Sequence, residues 1–475
     1  MTSPFNEQKY KDLLEGLEIS EVWLSKVTKG SIRFDSDHYS KENLVIENLA
    51  NSNSHTMSKL IEPVISGFDF RDFTNQGNHY IRVGDIKQWR IQKDNSALIE
   101  IAIREINKDI SIKSGDIVFT RKGSFGNAAL VFKEDEDCII STEIIRIRLN
   151  EFGKKIINPE YLMVFLNSKF GKLQSYKWAH GIQFYSITQV DLLKFVIPII
   201  SNEIQIKIKN NVQTAYNKSV QSQFLYRQAE ELLLEKVGLK DFKPSEKGIN
   251  IKSFKESFLA TGRLDAEYYQ PKYEEIRNIL TSYKGGFEYL EKLCITYRGN
   301  FVEECFYTEN KNKYAYIRGA DISSNVMIAD KMTYLNEKFV NTNENLVQKG
   351  DIVMALIGSV GTAALVTENF VNSIVSNNLG FIRINSDKIL PEYLHLYLTQ
   401  KNIGGLLFAQ QEMRTAQPKI SDKNVHNFPV PLVDIQTQHQ ISALIQESFS
   451  LRKESEGLLA EAKEMVEGEI EKGII

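Results

Sequence analysis

The stretches best suited to chemistry in this chain are two short glycine turns, Gly123-Ser124-Phe125-Gly126 and Gly358-Ser359-Val360-Gly361. Closely spaced glycines can bring backbone N–H groups up to a phosphate, but both lack the Gly-Lys-Ser/Thr ending of a P-loop. They stand before strand-like runs, so no helix N-terminus faces a bound anion. A GxxG loop can also clamp a nucleic-acid backbone. The plainer reading is a tight turn that needs positive φ. No HExxH, GxSxG, EF-hand loop or dinucleotide fingerprint occurs. The seven histidines include no pair at metal-ligand spacing, and Cys138, Cys294 and Cys305 form no CxxC or Cys/His set. The expectation is a non-catalytic chain with no cofactor and no metal.

Side chains that bind are better represented. "WAHGIQFYSI", from Trp178 to Ile187, offers His180, Gln183, Tyr185 and Ser186. "EMRTAQPKIS", from Glu412 to Ser421, offers Arg414, Thr415, Gln417 and Lys419. Glutamine suits the edge of adenine, and arginine or lysine suits guanine. Each residue could equally belong to an ordinary surface loop. A second pair of variable segments brings together Lys87, Trp89, Arg90 and Lys93, against Ser323, Ser324, Asn325 and Lys331. Arg82 and Arg318 lie in the common frame beside them, where a phosphate contact or a structural ion pair fits better than base reading. Arg121 and Lys122 face Leu356 and Ile357 in the second copy, so that position varies in charge.

"Copy" is meant literally, because the elements that carry these residues are written twice. "RFDSDHY" (Arg33 to Tyr39) parallels "RLDAEYY" (Arg263 to Tyr269), and "YIRVGDI" from Tyr80 parallels "YIRGADI" from Tyr316. "SGDIVFTRKGSFGNAALV" from Ser114 parallels "KGDIVMALIGSVGTAALV" from Lys349, at an offset of 235. "NPEYLMVFLNSKFG" from Asn158 parallels "LPEYLHLYLTQKNIG" from Leu390, and Pro198 matches Pro431. A repeat this long describes a duplicated domain rather than a solenoid, with two similar ligand sites and a pseudo-two-fold relation. The framework recurs while the loops differ, as in one scaffold reading two targets.

Within each copy the glycine stretch reads as strand, turn, strand. "CIISTEIIRIRLN" (Cys138 to Asn150) reads as one half-buried strand, and the PEYL segments read as helices opened by proline. The fold class is α+β, with a mainly antiparallel sheet. From Asn202 to Val237 there is neither proline nor glycine, and Gly238 supplies a stop. Apolar or small residues step by three and four through Ile208, Val212, Ala215, Ser219, Ser222, Tyr226, Ala229 and Leu233, the seam of a coiled coil. The seam recurs in Ile441, Ile445, Ser448, Ser455, Leu459, Ala462, Val466 and Ile470. The expected division is 1–198 for a first domain with an N-terminal arm and 199–237 for a long helix. A linker at 238–262, a second domain at 263–431 and a second helix at 432–475 complete it.

Bulk properties agree with such a protein. A chain of 475 residues exceeds one ordinary core. Its 58 basic and 61 acidic side chains leave a net charge of −3, too balanced for a protein that coats nucleic acid indiscriminately. The polar Met1–Tyr10 segment does not resemble a secretory leader, so none is expected, and no apolar run reaches membrane-spanning length. A cytoplasmic protein is expected.

The ordered duplication resembles the specificity (S) subunits of type I restriction–modification systems. Its carriers are the "GDIV…GS-G-AALV" stretch, the PEYL segment, and a proline-ended strand running into a coiled-coil helix, spread over roughly Glu18 to Ile470. The resemblance implies two target-recognition domains in pseudo-two-fold arrangement, each followed by a conserved spacer helix. Each domain would read one half of a bipartite double-stranded DNA sequence, and the helices would fix the gap. It further implies no catalysis by this chain. Two methyltransferase subunits would supply base flipping and methylation, and motor-nuclease subunits can join them. On that basis the DNA-contacting set is Arg82, Lys87, Arg90, Arg121, Lys122, His180, Gln183 and Tyr185 in the first domain. In the second it is Arg318, Ser323, Asn325, Arg414, Thr415, Gln417 and Lys419. The N-terminal arm and long linker depart from the family pattern, which leaves open a related phage-defence system with other partners. A scaffold that binds protein rather than DNA is the rival from another class, and salt-dependent DNA binding separates the two.

Overall fold

The chain divides by its contacts into two units: Met1–Lys218 with Lys453–Ile475, and Ser219–Arg452. The computed structural model describes residues 53–474 apart from 88, 95, 182–184, 247, 311–313, 324, 328–331, 341–344 and 414–415. It also describes residues 8, 10, 12, 15, 17, 21–27, 36–41, 43, 46 and 49. Among the sequence landmarks, Arg33–Asp35 lie outside the described residues.

The first unit is built on a four-stranded antiparallel sheet in the order Ile65–Ser66, Ile144–Ile147, Ile117–Thr120, Ala128–Leu130. A three-stranded sheet orders Ala97–Ile99, Asn78–Ile81 and Ile139–Ile140, and its last pair is parallel, with Tyr80 opposite Ile139. Two ribbons complete it, Ser54–Thr56 with Val196–Pro198 and Ile86–Lys87 with Arg90–Ile91. The second unit repeats the plan. Its main sheet runs Cys294–Arg298, Leu379–Ile384, Ile352–Ala355, Ala363–Leu365. A parallel pair again joins Tyr316 to Ile374, and the ribbons are Phe287–Tyr289 with Pro429–Pro431 and Ile322–Ser323 with Val326–Met327. Each half is thus α+β, as its sequence pattern requires.

The segment Cys138–Asn150 corrects the sequence reading. It forms two strands, not one, and every residue of Ile144–Ile147 is buried. Alternation fails because both faces of the sheet are covered. Ile145 and Ile147 join a core with Phe165 and Leu192, while Ile144 joins Val118 and Ile140 on the other side. Arg146 is buried among them; its Nη1 donates to the carbonyls of Asp109 (3.2 Å) and Ser111 (2.9 Å), while its Nε finds no partner.

The aspartate of each "GDIV" holds the sheet together. Asp116 takes a bidentate pair from Arg148, Nε to Oδ1 at 2.6 Å and Nη2 to Oδ2 at 2.7 Å. Asp351 takes the same pair from Arg383, at 3.0 and 2.7 Å. The PEYL helices, Pro159–Asn167 and Pro391–Thr399, begin at proline, whose missing N–H costs nothing there. Their tyrosines reach the last strand: Tyr161 donates to the Pro198 carbonyl at 2.6 Å, and Tyr393 to Pro431 at 2.7 Å. Removing either hydroxyl leaves a buried carbonyl unpaired. Tyr393→Phe is therefore expected to cost about 1 kcal/mol in urea unfolding, and an unchanged midpoint would show that the bond contributes nothing.

One difference between the copies has a local cause. "NSKFG" in the first becomes "TQKNIG" in the second, one residue longer. The first forms the regular helix Lys169–Lys177, whereas the second winds a π turn over Lys401–Gly405 before the helix Leu406–Gln411. The extra residue is absorbed as a bulge in the helix. Gly404 then lies so close to the preceding helix that a Cβ would sit 1.9 Å from the Leu398 carbonyl oxygen. Only glycine fits.

The long helices are Asn202–Lys236 and Ile435–Ile474. The first stops at Gly238, in the left-handed region at φ 78°. Each opens with a buried glutamine that closes the loop before its PEYL helix. Gln205 accepts from the Asn158 N–H (3.1 Å), and Gln438 from the Leu390 N–H (2.9 Å). The small seam residues let helix backbones approach. In the first unit the Ser455 hydroxyl donates to the Ala215 carbonyl at 2.7 Å. In the second unit Ser222 donates to the Ser448 carbonyl at 2.8 Å, and Ser448 returns the bond to Ser222 at 2.8 Å. Ser222 and Ser455 are equivalent in the repeat, as are Ala215 and Ser448, so each unit contains the same helix contact.

Candidate functional site

The variable segments converge in each unit. In the first, the loop after Trp178 folds back as a narrow hairpin: the His180 N–H donates to the Ser186 carbonyl (2.8 Å), and Ser186 returns the bond (2.9 Å). The hairpin's returning edge pairs with the glycine turn, through a Lys122–Ser186 bridge and an Ile187 N–H to Arg121 carbonyl bond of 3.0 Å. The second unit repeats each link. Met413 and Lys419 close the hairpin, Ile357 bridges Lys419, and the Gly358 N–H donates to Pro418 at 2.8 Å. The third variable segment is the ribbon Ile86–Ile91, docked on the strand that leaves the glycine turn. The Trp89 N–H donates to the Ala128 carbonyl at 3.0 Å.

The glycine turns are turns. Gly123, Gly126, Gly358 and Gly361 all have φ between 74° and 88°. Their amides are spent inside the protein: Gly126 N–H on Thr120 and Gly358 N–H on Pro418. These donors cradle no anion.

The sequence-derived residues separate into several groups. Arg82 and Arg318 are frame residues. Each backbone N–H donates to the aspartate three positions on, Asp85 or Asp321, at 2.8 Å, and each guanidinium lies beside the same carboxylate. Of the two roles left open for them, the ion pair is the one observed. Lys87 and Lys122 are exposed, Arg90 and Arg121 half-buried. Trp89 does not belong to an open basic group: at φ 83° it turns back to pack on the first unit's core. Lys93 lies 3.2 Å from Asp135.

His180 is held by Asp191, Nε2 to Oδ2 at 2.9 Å. Burial works to raise the Asp191 carboxyl, but hydrogen bonds from Lys194, Thr188 and His180 overcome it and hold it below the usual range. His180 is thus a fixed hinge for the loop. Tyr185, next to the closing residue Ser186, is exposed, and Gln183 lies outside the described residues.

In the second unit Ser323, Gln417 and Lys419 are exposed, while Arg414 and Thr415 lie outside the described residues. Asn325 is turned inward. At φ 67° it makes the bend of its ribbon, and its amide donates to the Tyr226 hydroxyl on the first long helix at 2.8 Å. The structure gives it a packing partner in place of an open edge.

Residues that sequence reasoning passed over position these loops. Arg263, the first residue of "RLDAEYY", pairs with Asp265 (2.8 and 2.6 Å) and donates to the carbonyls of Gln411 and Glu412, each at 3.2 Å. It thereby fixes the stem of the Met413–Lys419 hairpin. In the first unit His38, from the matching "RFDSDHY", meets the Lys177 carbonyl at 3.0 Å beneath the equivalent stem. The motif's recurrence early in each domain was the available signal.

The surfaces around the two hairpins differ. In the first unit Phe125 of the glycine turn, Tyr176 and Tyr185 gather, with ring centroids 5.7 to 6.3 Å apart. Their counterparts in the second unit are Val360, Ala409 and Pro418. There Val360 and Ala409, with Asn325 and Gly405 in place of Trp89 and Lys172, line a cleft of about 340 Å³. Among the described residues no group of three His, Cys, Asp or Glu side chains could hold a metal, and no helix is long and apolar enough to cross a membrane.

Residues 300–462 match the family model of the type I restriction modification DNA specificity domain. The chain is similar to the EcoBI type I restriction enzyme specificity subunit of Escherichia coli, 23% identical over 162 residues. That match takes in 33% of this chain and 34% of the relative, about a third of the relative's length. Among solved structures, the chain aligns with the type I restriction-modification S subunit of M. genitalium at 13% identity and a TM-score of 0.42, over 89% of this chain and 96% of that one. It aligns with the HsdS subunit of Thermoanaerobacter tengcongensis at 16% identity and a TM-score of 0.29, with the same coverage. The second half thus matches a type I restriction modification DNA specificity domain, and that domain's landmarks are written again in the first half.

Proposed function

We propose that this chain is the sequence-reading subunit of a DNA methyltransferase or endonuclease complex, each domain recognising one half of a bipartite target. The observation that carries the reading is the convergence of what differs between the copies. A common frame of ion pairs and capped helices presents a hairpin, a glycine turn and a ribbon that share backbone pairing and little side-chain identity. This is the distribution expected when bases, not the frame, select the residues. The chain itself carries no catalytic group in this proposal. Two methyltransferase subunits supply methylation, motor-nuclease subunits can add cleavage, and the complex works in the cytoplasm.

The test is selection of bound DNA from a random pool, using the full chain with the subunits that co-purify with it. Two short fixed half-sites at a constant spacing are expected. Exchanging residues 180–186 for 413–419 should alter one half-site and leave the other. Lys122→Ala should weaken every sequence evenly and lower the salt slope by about one. A pool that returns no sequence preference sinks the proposal. Methylation or cleavage by the isolated chain would overturn its non-catalytic part.

A further inference from the structure

Phe125 packs on the first unit's core, but the two tyrosines gathered on it have no structural task that explains their exposure. Tyr176 is 56% and Tyr185 47% exposed, yet the rings hold one another. Tyr176 meets Tyr185 edge-on at 5.7 Å, and Phe125 meets Tyr176 at 5.7 Å and Tyr185 at 6.3 Å. Such contacts make a rigid apolar face with little rotamer freedom left to lose on binding. The second unit folds the same hairpin on the same turn with Val360, Ala409 and Pro418 in these places, so the frame does not need the rings. An exposed apolar patch without a packing role marks a contact surface. Its neighbours narrow the partner. Lys122, exposed and bridged to Ser186, puts a positive charge on its rim, and the patch adjoins the hairpin assigned above to base reading.

The one apolar group that a base pair shows in the major groove is the thymine 5-methyl. We infer that Phe125, Tyr176 and Tyr185 form a thymine-methyl contact surface, so that the half-site read by the first domain contains thymine. This rests on the DNA-reading function proposed above and names part of what that site reads. Lys122 holds an adjacent phosphate while the ring face excludes water from the methyl group.

The experiment uses the complex and its selected target. The first domain's half-site is the one altered by the 180–186 exchange. Each thymine in it is replaced by deoxyuridine, which removes only the methyl group. Wild-type binding should weaken about four-fold for each contacted methyl. The triple variant Phe125→Val, Tyr176→Ala, Tyr185→Ala should bind thymine and deoxyuridine DNA alike, with its second half-site preference intact. Val and Ala stand at the first two positions in the second copy, so the scaffold already accommodates them. A half-site without thymine, equal binding of both DNAs by wild type, or discrimination that survives in the triple variant would each overturn the inference. So would a triple variant that loses its co-purifying subunits while its thymine preference persists, because the surface would then bind protein. Absence of any sequence preference would instead count against the DNA-reading function as a whole.

Discussion

Arg383→Ala is expected to destabilise the second unit by about 3 kcal/mol, since it strands a buried carboxylate. Asp351 is almost wholly enclosed and also accepts the Gln348 N–H at 2.7 Å. Arg383 gives it two hydrogen bonds, gives the Leu346 carbonyl a third at 2.9 Å, and lies over the Tyr297 and Phe381 rings at 5.2 and 5.5 Å. The hydrogen bond to Asp351 chiefly holds the guanidinium above its ordinary pKa. Urea unfolding of Arg383→Ala, Asp351→Asn and the double variant measures the coupling. A coupling near 2 kcal/mol is expected, and one indistinguishable from zero would show that the pair is not the source of the loss. The same experiment on Arg148 and Asp116 should give a similar result, because the pair is repeated.

Acid should weaken the second unit through a single side chain. His395, in the Pro391–Thr399 helix, is fully buried, and neither ring nitrogen makes a hydrogen bond. Burial pushes its pKa down to about 4, against the upward pull of the Ala363 and Asn325 carbonyls. Between pH 6.5 and 4 the unfolded chain binds a proton that the folded one refuses. Stability therefore falls as pH drops through that window, by about 3 kcal/mol when complete, and is fully present above it. The first copy has Met163 at this position. His395→Met should remove the dependence, and should gain about 1 kcal/mol at neutral pH by deleting an unsatisfied polar group. Denaturant midpoints at pH 7 and 4.5 decide the matter. An equal acid loss in both proteins would place the titration elsewhere.

Much of the architecture was legible because it is local and repeated. The first long helix follows from an unbroken run and a terminal glycine, the second from the recurrence of its seam, the PEYL helices from their prolines, and the turns from glycines that need positive φ. Contacts between distant residues were not. Nothing near Asp116 announces Arg148, and the parallel pairing of Tyr80 with Ile139 has no periodic signature. Ile144–Ile147 misled because alternation assumes one wet face, and this sheet has none. The hairpins were found as divergent loops, but their seat on the glycine turn depends on the Lys122–Ser186 and Ile357–Lys419 bridges. Trp89 was misplaced because its composition suggests an open loop while its positive φ turns it inward. Tyr176 was overlooked because it sits in a short helix, where an aromatic normally means packing.

The division of each long helix bears on how the chain must be made. The first unit's core contains Ala462, Val466 and Ile470 beside Ile208, Val212 and Phe165. Those three residues leave the ribosome after the whole of Ser219–Arg452 has emerged. During synthesis the first unit therefore waits with an apolar strip uncovered, while the second already has every segment it needs. The order of completion reverses the order of translation. A released chain truncated after Arg452 should hold a protease-resistant second unit and a first unit that is still easily cut.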